Sequence, residues 1–455
     1  MIKFLPLGSA GEIGATCFYL NIDGTGIILD CGMHPRKKGI EALPDFDLIN
    51  DRPVDYLLIS HAHQDHLDSL PYLVQRHPYI RIITTPQTRA IAELTLHNSV
   101  SIMEETIQNN EIKIYSHEEI DLLIQSIEYK SYKEEFIING YDHHGNENIT
   151  ASFRDAGHIL GSAGILIKYK DRKIFFTGDI NNENQSLQPA AELPAVKVDI
   201  LISECTYGST DSKNLYSWEN ESLRFAESAN KILNKGGSIL IPVFSLGKAQ
   251  EILAMIHKLI VKGKLAGTNI YTGGLSVKIS RIYDYNRYVV NRIDSELELK
   301  SIPQKNLYEI ERPLDFFKDP CIVLASSGMM VERTASFNLA KAWITQKDSA
   351  IFIVGYMDPD TPGYKAANSH KGGKIKFTEY DEERDVKCDI KKFRFSAHAK
   401  REGLVSIVKK LKPENVILVH GEKPSIDWIG SSILKDMKST KVFAAETGKE
   451  ILFEY

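Results

Sequence analysis

With 455 residues, 43% of them hydrophobic and 25% charged, the chain has a globular composition and length for about two or three domains, which excludes a disordered or fibrous protein. No run approaches the roughly 18 uninterrupted apolar residues of a transmembrane helix, so no membrane partner is expected. A net charge of −5 without a basic tail argues against a protein that coats nucleic acid by charge alone, while a local basic cleft or bound metal ions stay compatible with it.

The first twenty residues carry one early lysine, and Gly8, Gly11 and Glu12 break the apolar run, so they do not read as a secretory leader. The glycine-rich stretch 8–14 lacks the lysine of a P-loop and reads as a turn. Short apolar strands follow at 24–32, 54–63, 79–86, 173–180 and 198–208, and four of the five end in a polar or ionisable residue, where α/β folds place their chemistry. Residues 164–178 read as a hairpin turning at Lys170, Asp171 and Arg172, and 129–150, with the pair His143 and His144, as a surface insertion. After Gly208 the period changes. A helix over Trp218–Leu233, a buried strand at 236–244, a helix over 246–263, strands at 269–274, 321–328 and 349–356 and a helix running to Trp343 imply a parallel sheet. From about 393 the earlier style returns, with a helix over 400–411 and a strand at 415–421. The expected organisation is a first domain split between 1–208 and 392–455, with a second α/β domain, 209–391, inserted. Five scattered cysteines (Cys17, Cys31, Cys205, Cys321 and Cys388) form no C-x-x-C pair, which fits a reducing, cytoplasmic setting without disulfides.

The strongest chemical signal is His61-Ala62-His63-Gln64-Asp65-His66, directly after the strand. At a strand end His61 and His63 can converge on one metal, and Asp65 and His66 can reach a second; imidazole and carboxylate suit zinc. One histidine in a polar turn means little, but four potential ligands in six residues do not arise as a solvated surface. His158, Asp179 and His420 each follow a strand; any one alone reads as a packed or solvated residue, but beside the cluster they are candidates for the ligands it lacks.

The order Asp30, H-x-H-x-D-H, His158, Asp179 resembles the metallo-β-lactamase superfamily, and Glu204, His398 and His420, with the stretches 241–251 and 326–330, resemble the added motifs and cap of its β-CASP nuclease branch. The resemblance spans nearly the whole chain. It implies an α/β fold, a metallo-β-lactamase αββα sandwich with an inserted β-CASP cap. It also implies two Zn2+ ions, one on His61, His63 and His158 and the other on Asp65, His66 and His420, with Asp179 bridging and Asp30 holding the ligand loop. Glu204 and His398 would then serve as carboxylate and general acid beside Asp65, against the plainer readings of an idle strand-end carboxylate and a residue at a helix start. Implied too are hydrolysis of single-stranded RNA, endonucleolytic with 5′-exonuclease action as a further mode, and a homodimer.

In the cap, Ser326, Ser327 and Gly328 lie between a strand and a helix, either as a phosphate-holding turn or as a plain helix cap. Lys248 and Arg333 face a backbone groove or plain solvent. A DNA nuclease of the same branch is the first alternative, and His420 favours RNA because DNA-repair members carry an aliphatic residue there. A small-molecule hydrolase would lack the cap and the Glu204/His398 pair, and a non-catalytic binding subunit would have lost ligands. Asp68 stands where the family often has glycine and bears on substrate access. His97, His117, His143, His144, His257 and His370 read as structural or surface histidines.

Overall fold

The computed structural model describes residues 1–106 and 115–454, and the chain divides into two compact units. The first comprises Met1–Glu183, Ala190–Lys213 and His398–Tyr455; the second comprises Asn184–Pro189 and Asn214–Ala397.

The first unit is an αββα sandwich. One seven-stranded sheet runs Ile451–Phe453, Ile2–Pro6, Phe18–Ile22, Thr25–Leu29, Tyr56–Leu58, Arg81–Thr84 and Glu128–Tyr129. The other runs Lys441–Ala444, Asn415–Val419, Ile200–Glu204, Arg172–Phe176, Ala163–Tyr169, Thr150–Asp155 and Phe136–Ile137. Alternation places Ile27, Leu29, Phe18, Ile165, Ile174, Ile202 and Ile417 in one core cluster contributed by both sheets. The alternate residues Leu166, Phe175, Leu201, Val416 and Leu418 face outward and are buried under Leu404, Ile407, Ile426 and Ile429 of two C-terminal helices, Arg401–Leu411 and Lys423–Asp436. The hairpin turns at Lys170 and Asp171, with Lys170 at φ +54°.

The second unit is a six-stranded, wholly parallel sheet in the order Lys305–Asn306, Asn269–Thr272, Cys321–Ala325, Ile239–Pro242, Ala350–Ile353, Asp389–Lys392. Every connection therefore crosses over, and the helices Lys248–Val261, Leu275–Tyr285 and Ala335–Trp343 lie in these connections, while Trp218–Leu233 leads into the first strand.

Three expectations need correction. The seams fall after 213 and 397 rather than 208 and 391. The turn after Gly208 stays with the first unit because Ser209 N donates to Ser425 Oγ and Arg401 pairs with Asp211 at 2.7 Å. Beyond the last strand of the second unit, Phe393 N donates to Ile353 O, and Phe393 and Phe395 pack on Phe225. Residues 184–189 also belong to the second unit. Finally, 129–150 is no mere surface insertion: Phe136, Ile138 and Ile149 lie in the inter-sheet core. All five cysteines are buried and free. Among the described residues no helix is long and apolar enough to cross a membrane.

Candidate metal centre

Parallel pairing sets the site. Ile174 pairs with Ile200, and Glu204 with Val419, so the turns carrying Asp179, Glu204 and His420 emerge from adjacent strand ends. The ligand loop 61–66 leaves the Tyr56–Leu58 strand and enters a short helix, Gln64–Leu67. Backbone bonds pin it: Thr16 N donates to Asp65 O, Cys31 N to His66 O and Met33 N to Gln64 O. Gly32 is required here, because a Cβ on it would stand 1.7 Å from Asp65 O. Asp30 and His420 both adopt left-handed backbone, at φ +58° and +47°, as residues held by functional geometry often do.

The expected ligands converge. His61 Nε2 and His158 Nε2 each lie 3.0 Å from His63 Nδ1. Asp179 divides its carboxylate. Its Oδ2 lies 3.5 Å from both His61 Nε2 and His158 Nε2, and its Oδ1 lies 3.3 Å from His66 Nε2 and 3.4 Å from His420 Nδ1. Asp65 Oδ2 lies 3.3 Å from His420 Nε2 and 3.9 Å from His66 Nε2. The donor atoms of His61, His63, His158 and Asp179 form one group, and those of Asp65, His66 and His420 a second. Asp179 thus faces both groups, one oxygen to each.

The chemistry of this donor set fits cations. His66 Nε2 and Asp179 Oδ1 are buried without any hydrogen-bond partner, although they face each other at 3.3 Å. Buried polar atoms left unpaired and aimed together are costly unless an ion occupies the space between them. Burial holds His61 well below the ordinary histidine range, which keeps its imidazole neutral as a ligand. His66 is pushed the other way: burial opposes charge, but Asp179, Asp65 and Asp30 outweigh it and raise its pKa. Burial likewise opposes ionisation of Asp179, yet His66, His420 and His398 hold it well below the carboxylate range.

Asp30 orients the loop. It is fully buried and accepts from Ser60 N at 2.6 Å, from Ser60 Oγ at 2.7 Å and from His66 Nδ1 at 2.8 Å. Beside the ligands, His398 Nδ1 lies 3.1 and 3.2 Å from the two oxygens of Glu204, and its Nε2 lies 3.8 Å from Asp179 Oδ2. Burial lowers the His398 pKa, but Glu204 and then Asp179 overcome it and lift it to about 9.

Sequence reasoning missed Ser60, Thr206 and Tyr207. Ser60 Oγ lies 3.0 Å from His61 Nδ1, Thr206 Oγ1 3.2 Å from His420 Nδ1, and the Tyr207 ring stacks edge-on against His398. Their one signal is adjacency: Ser60 precedes the histidine cluster, and Thr206 and Tyr207 follow Glu204. Asp68 is buried, accepts from Ser99 Oγ at 2.6 Å, and burial pushes its pKa up to about 7. His97 and His117 are partners, with their Nδ1 atoms 2.7 Å apart and Asp121 3.1 Å from His97 Nε2.

In the second unit, Lys248 is not a free groove cation: its ammonium donates to Phe395 O, and burial lowers its pKa to about 8. Ser326, Ser327 and Gly328 fold onto their own loop rather than cap a helix. Ser327 Oγ accepts from Val331 N, Ser336 N donates to Ser326 O, Ser336 Oγ donates to Ser327 O, and Gly328 packs under Phe244. The following helix begins only at Ala335, with Thr334 at its N-cap.

Three families of sequence match this chain: the metallo-beta-lactamase superfamily over residues 10–191, the Beta-Casp domain over 249–365, and the Zn-dependent metallo-hydrolase RNA specificity domain over 383–445. The chain belongs to the β-CASP branch of the metallo-β-lactamase superfamily. It is 30% identical to an RNase J-like protein of Methanocaldococcus jannaschii, over 95% of each chain. It is 31% identical to the cleavage and polyadenylation specificity factor 73 of Drosophila melanogaster and 29% identical to the endoribonuclease YSH1 of Eremothecium gossypii, over 96% of this chain in each case. It spans 62% and 57% of the length of those two relatives.

Proposed function

We propose that this chain is a zinc-dependent ribonuclease that hydrolyses single-stranded RNA internally, with two metal ions at the convergent ligand set. The observation that carries this is Asp179, one carboxylate oxygen facing each ligand group, with the Glu204–His398 pair beside it. His61, His63 and His158 would hold one ion, and Asp65, His66 and His420 the other. Bound there, zinc supplies Lewis acidity, polarising a phosphodiester oxygen and lowering the pKa of a water.

The chain's own groups account for the rest. Asp30 and Ser60 fix the ring orientations of His66 and His61. Hydrolysis consumes one water, breaks the bond from phosphorus to the 3′-oxygen, and leaves a 5′-phosphate and a 3′-hydroxyl. The departing 3′-oxygen needs a proton, and His398 Nε2 is the donor, with Glu204 holding Nδ1 and favouring the charged ring. The relatives named as RNase J-like protein and endoribonuclease support RNA as substrate and internal cleavage as the mode.

The test is incubation of zinc-loaded protein with a 5′-labelled RNA and the matching single-stranded DNA, beside an Asp65→Ala/His66→Ala control. RNA cut at internal positions and left intact by the control supports the assignment. Cleavage of DNA with RNA intact replaces it with the DNA-nuclease reading, and inertness toward both with two zincs bound removes the nuclease assignment.

A further inference from the structure

We propose that the solvent face of the Leu275–Tyr285 helix in the second unit is a docking surface for single-stranded RNA; the choice of RNA rests on the ribonuclease reading above. The helix is amphipathic, with Ile279 and Tyr283 buried. Lys278, Arg281, Tyr285 and Tyr288 are exposed at successive spacings of three or four residues, so they line one face and its continuation past the helix end.

The charges on this element are sorted by face. Its one acidic residue, Asp284, is turned inward and accepts from Leu299 N at 2.6 Å and Lys300 N at 2.9 Å. Lys278 and Arg281 make no ion pair or hydrogen bond among the described residues. On the helix itself the outer face therefore carries Lys278 and Arg281 with no acidic side chain, in a chain whose net charge is −5, and Glu296 meets only its continuation, at the Tyr288 hydroxyl.

A merely solvated face has no need of aromatic rings, yet Tyr285 is 84% exposed and Tyr288 63% exposed. Tyr288 is held rather than loose: its hydroxyl donates to Glu296, and the Arg287 guanidinium lies 4.7 Å from its ring centroid. One ring face is backed by a cation, as in stacking platforms for nucleobases. Lys278 and Arg281, about 4.5 Å apart along the helix axis, meet phosphates, and the two rings meet bases. A duplex hides its base faces, and an acidic peptide would engage the cations while leaving the tyrosines idle, so a single strand is the occupant that uses all four residues.

The experiment measures binding of a short fluorescein-labelled oligouridine to the full chain, together with hydrolysis of bis(p-nitrophenyl) phosphate, a single diester with no run of phosphates and no nucleobase. Tyr285→Ala/Tyr288→Ala is expected to weaken oligouridine binding about ten-fold or more. Lys278→Glu/Arg281→Glu is expected to weaken it and flatten its salt dependence. Both variants should hydrolyse the small diester as the parent does, which also certifies their fold. Parent-level oligouridine affinity in both variants, preference for duplex over single strand, or no oligouridine binding by the parent overturns the proposal. Weakened binding in a protein that cuts no RNA upholds the surface and overturns the nuclease reading; RNA cutting with unaltered binding does the reverse.

Discussion

Glu204 divides its carboxylate between backbone and ring. Oε1 accepts from Ile180 N at 2.8 Å, Oε2 from Thr206 N at 3.2 Å, and both face His398 Nδ1. Glu204→Gln keeps the size of the side chain and removes its charge, so it withdraws the largest attraction that offsets the burial of the His398 imidazolium. A general acid works in its protonated form, so activity is lost as pH rises through its pKa. A variant whose histidine has a lower pKa loses activity earlier on the alkaline side. In the zinc-loaded enzyme, nearby cations lower that pKa in parent and variant alike, and the comparison isolates Glu204. The alkaline limb of kcat/KM should move down by about one pH unit or more in Glu204→Gln, with a loss of kcat that grows as pH rises, whereas His398→Ala should lower kcat roughly 10²–10⁴-fold near neutrality. A reduced kcat with an unmoved alkaline limb would sink the assignment of His398 as acid and leave Glu204 as a packing residue.

Elements rather than residues decide how 184–189 is held. Glu251, in the Lys248–Val261 helix, accepts from Ser186 N at 2.7 Å, Leu187 N at 2.8 Å and Gln188 N at 2.9 Å, and Lys258 Nζ donates to Ser186 O. Burial raises the Glu251 pKa, and those three donors oppose it. Glu251→Ala leaves three backbone donors without their acceptor, at about 1–3 kcal/mol each where water cannot replace it. The variant should lose at least about 3 kcal/mol in denaturant unfolding, and a protease should nick it first at 184–189. Parent-like stability would mean that the segment is held by its side chains instead. This anchor also shows where the sequence stops being legible. The convergence of His61, His63, Asp65 and His66 could be read because a metal site would need those residue types in one turn, and that of Asp179 and His420 because strand ends repeat the pattern. The clasp on 184–189 is made to backbone N–H groups, which leave no mark on residue identity. The Pro86–Thr106 helix was equally silent: polar Gln87 and Thr88 are buried in it, Thr88 hydroxyl donating to Gly161 O, so its period is blurred. The polar stretch 129–150 hid Phe136, Ile138 and Ile149, which carry it into the core.

At the scale of the molecule, every residue of the ligand set lies in the first unit: His61 through Asp179, then Glu204, and His398 and His420 after the chain returns. Metal held by that set would therefore stabilise the first unit directly. Without ions, His66 Nε2 and Asp179 Oδ1 stay buried and unpaired; with ions, binding to the folded state adds about 4 kcal/mol when free metal exceeds Kd a thousandfold. Calorimetry of the full chain should show a transition that falls in temperature when a chelator strips the metal and recovers on adding zinc. The transition lowered by Glu251→Ala should be a different one, because that anchor lies in the second unit. Asp65→Ala/His66→Ala, which removes two ligands of one group and leaves His61, His63 and His158, should shrink the chelator shift, and adding His61→Ala/His63→Ala should abolish it. A chelator shift that survives all four substitutions, or one that moves the Glu251-sensitive transition alone, would put the stabilising metal somewhere other than the ligand set.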